Sequence, residues 1–134
     1  MTINYDRDKF IKLCQKYGFS LVILHGSYAQ GKSRAESDID IGLLGSPQII
    51  RKRYFDIIRD FTEIFGDKFD PVFLNGAEAM ITQRVAVQGI ALYEKERGSF
   101  SSFKLGAIAR YMDTKKFRLL EKQYIKSVIE NIAV

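Results

Sequence analysis

The chain has 134 residues, 46% of them hydrophobic and 13% aromatic, which fits one domain with an ordinary buried core and excludes a disordered chain. Apolar runs such as Leu21–Leu24 are far too short to cross a bilayer, and Met1–Lys12 is too polar for a signal-peptide core; the single cysteine, Cys14, excludes an internal disulfide, so a cytoplasmic protein is expected. The net charge of +5 is uneven: residues 1–94 hold 12 cationic and 12 acidic side chains, while residues 95–134 hold 9 and 4 and carry the whole excess.

Asp6 to Tyr17 is predicted as a helix, because Phe10, Leu13, Cys14 and Tyr17 recur at spacings of three and four and Gly18 follows as a stop. Phe19 to His25 is a nearly continuous apolar run between two glycines, the pattern of a buried strand. One helical turn is expected over Ser27–Gln30, closed by Gly31, and Lys32–Ser37 is a polar loop. Asp38 to Leu44 alternates and reads as a second strand.

Pro47 suits a helix start, and Ile50, Tyr54, Ile57, Phe61 and Ile64 mark one face of a single helix reaching about Phe65. Phe69–Leu74 is a third strand, Ala77–Gln88 a helix and Ile90–Tyr93 a short fourth strand. Phe100–Met112 and Thr114–Ile132 read as two closing helices with a break near Asp113. The expected architecture is α/β (α+β in some schemes): a mixed sheet of about four strands with helices packed on it. One domain is expected over residues 1–134, with a core to about residue 94 and basic C-terminal helices from about residue 97.

The chemistry concentrates in residues 26–42. Gly26-Ser27 ends the first strand where a helical turn begins, and free backbone N–H groups at such a junction can hold phosphate. Asp38 and Asp40 fall on one face of the second strand. Two carboxylates so close repel each other unless a divalent cation lies between them, and hard oxygen donors suit Mg²⁺. Alone, an Asp-x-Asp triplet reads rather as a solvated strand end, or as Asp38 capping a backbone turn, since such triplets recur by chance. Asp70 near the start of the third strand can face the same point if that strand lies beside the second. Three carboxylates with a phosphate loop make up a two-metal arrangement for in-line displacement at phosphorus.

Gly26-Ser27, ten residues, then Asp38-Ile39-Asp40 resembles the Gly-Ser-x10-Asp-x-Asp signature of the DNA polymerase β-type nucleotidyltransferases. Size and ending resemble the superfamily's minimal nucleotidyltransferase branch, and Ala109-Arg110-Tyr111-Met112-Asp113 resembles the tail of antitoxins that pair with HEPN-domain toxins. The resemblance implies a nucleotidyltransferase fold and Mg²⁺-dependent transfer of AMP from ATP to a tyrosine of a cognate HEPN ribonuclease toxin, with this chain as the antitoxin. It places two metal-binding aspartates on Asp38 and Asp40 and a third acid on Asp70, with Asp67 as fallback. Its phosphate-binding pair falls on Gly26 and Ser27, and Ser37 matches the usual Ser-Asp-x-Asp.

Many members carry Ala-Arg-Gly where this chain has Ala29-Gln30-Gly31, so the basic contact to the triphosphate is absent or falls to Lys32 or Arg34. Pro71, directly after Asp70, implies an edge or bulged strand. Two alternatives to toxin modification stand open: transfer to RNA or a small molecule, and a non-catalytic binding module. His25 has no second histidine to pair with at a metal and reads as structural, and Cys14 reads as core. The last helix lines up Phe117, Leu120, Tyr124 and Val128, a stripe for its own core or for a partner in a homo- or hetero-oligomer. Its positive charge reads as a solvated face or as a surface for acidic protein or RNA.

Overall fold

A computed structural model describes residues 2–132; the two ends of the expected 1–134 domain therefore lie outside the described residues. The element order is α1 (Arg7–Lys16), β1 (Leu21–His25), α2 (Gly26–Ala29), β2 (Ile39–Leu44), α3 (Pro47–Lys52), α4 (Tyr54–Phe65), β3 (Phe69–Phe73), α5 (Ala79–Gln88), β4 (Ile90–Glu94) and α6 (Ser99–Ile132). The strands form one mixed sheet in the order β3-β2-β1-β4. β1 runs antiparallel to both β2 and β4, and β2 runs parallel to β3.

Alternation along the strands splits the core in two. Val22, Leu24, Ile41 and Leu43 face α1 and α4, where Phe10, Cys14, Ile57 and Phe61 are fully buried. Leu21, Ile23, Leu74 and Val85 form the other cluster, with Phe100 and Phe103 of α6 packed against it. Helices therefore cover both faces of the sheet. α1 starts where the Asp6 side chain accepts from Lys9 N at 3.1 Å, an ordinary N-cap. The α1/α4 seam is locked by Tyr17, whose hydroxyl donates to Asp60 at 2.5 Å, while Lys16 and Arg59 reach the same carboxylate at 3.2 and 3.1 Å.

Two helix expectations are corrected. The single helix expected over 47–65 is two: Arg53, at φ −116° and ψ 23°, separates α3 from α4. No Gly or Pro marks that bend. Arg53 instead leans over the Tyr17 ring at 5.5 Å and binds Asp56 at 2.7 Å, contacts that sequence neighbours do not reveal. The break expected near Asp113 does not exist, and α6 is one helix of 34 residues rather than two C-terminal helices. An exposed Asp inside a helix costs only tenths of a kcal/mol, too little to stop it.

The third strand is an edge, as Pro71 required. Leu74 N donates to Leu43 O, and Ile39 N donates to Lys68 O. Even-numbered residues of β3 thus turn their backbone groups toward β2, and Pro71 turns its missing N–H toward the open rim.

Candidate active site

β1 and β2 pair with His25 opposite Asp40, and β2 and β3 pair with Asp40 opposite Asp70. Residues directly opposite in a sheet project to the same face. His25, Asp40 and Asp70 therefore stand in a row across three strands, at the end of the sheet where β1 runs into α2. Asp38, one residue ahead of β2 and of the same parity, is exposed beside them.

The carboxylates interact directly. Asp40 and Asp70 stand opposite each other on neighbouring strands, and the Asp40 carboxyl is pushed up from 3.8 to about 6. Partial burial is the main cause; neighbouring Asp70 comes next, and the charge of Asp38 adds to it. Two such groups hold one proton between them more readily than two charges. Burial pushes the His25 imidazole down, against a smaller upward pull from Asp70. His25 is neutral at pH 7, and its Nε2 is buried without a hydrogen-bond partner among the described residues.

Gly26 sits directly over Asp40. Its φ of +69° suits glycine, and a Cβ there would collide with Asp40 Oδ2. The absent side chain is thus what lets the α2 turn and the carboxylate occupy one spot. Ser27 O accepts from Lys32 N at 2.9 Å, folding the following loop back onto α2. Ser37 closes a second turn: its Oγ accepts from Arg34 N at 2.8 Å, and its N donates to Arg34 O at 3.0 Å. That turn delivers the chain to Asp38. Lys32 and Arg34 are exposed on this loop, and among the described residues neither is ion-paired. Asp67 lies in the exposed turn before β3, off the Asp40–Asp70 row.

The position where an arginine was expected has another use. Gln30 Nε2 donates to Gln88 Oε1 at 2.6 Å, tying α2 to the end of α5. Nothing in the sequence around Gln88 pointed to that partnership; the unusual Gln30 was the one available sign.

Among the described residues, no three of His, Cys, Asp and Glu stand as a ready-made metal cluster. The donors nonetheless fit a hard divalent ion in kind: they are carboxylate oxygens, and the neighbouring charges that raise the proton affinity of Asp40 would equally favour a cation there. A recess of about 540 Å³ lies elsewhere, at the other end of β1, and is lined by Ser20, Leu44, Glu96 and Phe103. The acids stand instead at the sheet's end, with Asp38 and Asp70 exposed and Asp40 partly buried.

Residues 8–98 match the family described as Polymerase beta, Nucleotidyltransferase. The protein adenylyltransferase MntA of Shewanella oneidensis is 29% identical over 90 residues, 66% of this chain. The chain spans only 65% of the length of that curated relative. A chain in a toxin–antitoxin crystal structure with AMP-PNP superposes with a TM-score of 0.71 at 24% identity, covering 96% of this chain and 99% of that one. A chain from the complex of tri-AMPylated Shewanella oneidensis HEPN toxin with MNT antitoxin superposes at 0.59 and 21% identity, covering 96% of both. At those identities the two structures establish the fold. The family match over residues 8–98, most of the chain, makes this chain a member of the Polymerase beta, Nucleotidyltransferase family.

Proposed function

We propose that the chain moves AMP from ATP to a tyrosine hydroxyl of a cognate HEPN-domain ribonuclease toxin and so acts as its antitoxin. The observation that carries this reading is the meeting of Asp40 and Asp70 beneath Gly26, with Asp38 alongside. Support for the nucleotide and the acceptor comes from MntA, named a protein adenylyltransferase, and from the similar folds solved with AMP-PNP and with a tri-AMPylated HEPN toxin.

Asp38, Asp40 and Asp70 would hold two Mg²⁺ ions, which when bound neutralise charge developing around the α-phosphorus. Gly26 and Ser27 receive the triphosphate, the first by leaving its backbone bare and the second through its hydroxyl. Lys32 and Arg34 extend from the loop as phosphate clamps, and Ser37 keeps a hydroxyl proton to donate. The acceptor oxygen bonds to the α-phosphorus, the bond from that phosphorus to the α–β bridging oxygen breaks, and pyrophosphate leaves. Asp70, exposed at the lip, takes the acceptor's proton. The toxin would dock along the apolar stripe of α6, where Phe117 and Tyr124 are 71% and 70% exposed. A cytoplasmic location accords with the buried, unpaired Cys14.

The test is transfer of label from α-labelled ATP with Mg²⁺ to the purified toxin. Asp38→Ala and Asp40→Ala are expected to lower transfer at least a hundredfold with folding intact. Undiminished labelling in either variant overturns the assignment.

A further inference from the structure

A second recess, of about 370 Å³, lies between the start of α5 and the middle of α6. Its lining is Met80, Tyr111, Lys115, Arg118, Leu119 and Lys122, which is three cations and no carboxylate. By contrast, the recess between α1 and α4 sets Lys9, Lys12 and Lys16 against Asp60 and Glu63. The ion pairs found among the described residues join Lys16, Arg53 and Arg59 to Asp56 and Asp60, so none neutralises a cation of α6. Helical periodicity sets Asp113 on the opposite side of α6 from this row, while Glu121 lies about a quarter-turn to one side and Glu130 about two turns beyond Lys122.

The recess is built as well as charged. Arg118 lies over the Tyr111 ring at 4.3 Å. One guanidinium nitrogen donates to Thr114 Oγ1, and the other donates to Tyr111 O at 3.2 Å. The guanidinium is thereby fixed over an aromatic ring in the lining of the recess. Lys115, Arg118 and Lys122 rise along the helix in steps of about 4.5 and 6 Å, close to the spacing of successive phosphates in a single strand. A flat cation on a ring, flanked by cations at phosphate spacing, answers a base and its backbone; an acidic peptide would use only the charges.

We propose that this recess binds single-stranded RNA, independently of the carboxylate site: Lys115 and Lys122 contact phosphates, and Arg118 on Tyr111 stacks a base. Fluorescence anisotropy of the full chain with a labelled oligouridine of about 16 nucleotides tests it. Replacing Lys115, Arg118 and Lys122 together by Ala should weaken binding at least tenfold and lower the salt slope by about 1.4, at ~0.7 for each of the two lost phosphate contacts. Arg118→Lys keeps the charge and loses the stacking plane, so it should weaken RNA binding severalfold with the slope unchanged. Circular dichroism establishes that each variant is folded. No RNA binding, or equal binding by the triple variant, overturns the proposal. Displacement of RNA by polyglutamate as readily as by unlabelled RNA also overturns it and assigns the recess to an acidic protein.

Discussion

Asp40 shows what a single residue costs in this fold. The folded chain holds its proton more tightly than the unfolded chain does, because its carboxyl titrates near 6 rather than 3.8. Stability contributed by that proton is present below pH 4 and drains away as pH rises through 6. Asp70→Asn removes a neighbouring charge but leaves the burial, so it should bring the Asp40 midpoint part of the way down. Carboxyl-carbon NMR of the ion-free protein reads that midpoint, and a value unmoved by the substitution contradicts the row described above. Asp60 is the opposite case. The Tyr17 hydroxyl, then Lys16 and Arg59, hold its carboxyl below the ordinary range. Its contribution is present above pH 4 and is lost as pH falls through the lowered value. Tyr17→Phe should cost about 1.5 kcal/mol near neutrality, a loss that shrinks in denaturation curves taken well below pH 4.

Elements differed in how far they could be read beforehand. The β1–α2 junction and the Asp38–Asp40 pair were legible because period-two alternation and paired glycines are local signals. The placement of Asp70 required a strand order, which no single stretch of sequence carries; Pro71 gave only the hint of an edge. The Arg53 bend was illegible because its cause is tertiary, a cation resting on Tyr17. The unity of α6 was missed because Asp113 resembles a terminator while costing too little to be one. Most of that helix is also free of the core: Ala107 is its one buried residue among those described. Ending the chain after Asp113 should therefore shift the melting temperature by no more than about 4 °C. Phe103→Ala, which opens the cluster beneath α6, should cost about 2 kcal/mol. A larger loss from the truncation than from Phe103→Ala would mean that the outer half of α6 folds back.

At the scale of the whole molecule, charge and bulk are separated. Residues 1–94 are electrically balanced, and the entire +5 rides on the segment that includes α6, a rod about 51 Å long. None of the described helices is long and apolar enough to cross a membrane. The sheet, meanwhile, has two free rims, and exposed strands invite other chains to add to them. On the β3 side the invitation is broken by Pro71, which offers an arriving strand no donor at mid-rim. That gap stands beside Asp70, so the same ring that interrupts hydrogen bonding keeps neighbouring copies from zippering across the carboxylate row. Pro71→Val restores the donor, and light scattering of the concentrated variant should then register self-association that the parent chain resists.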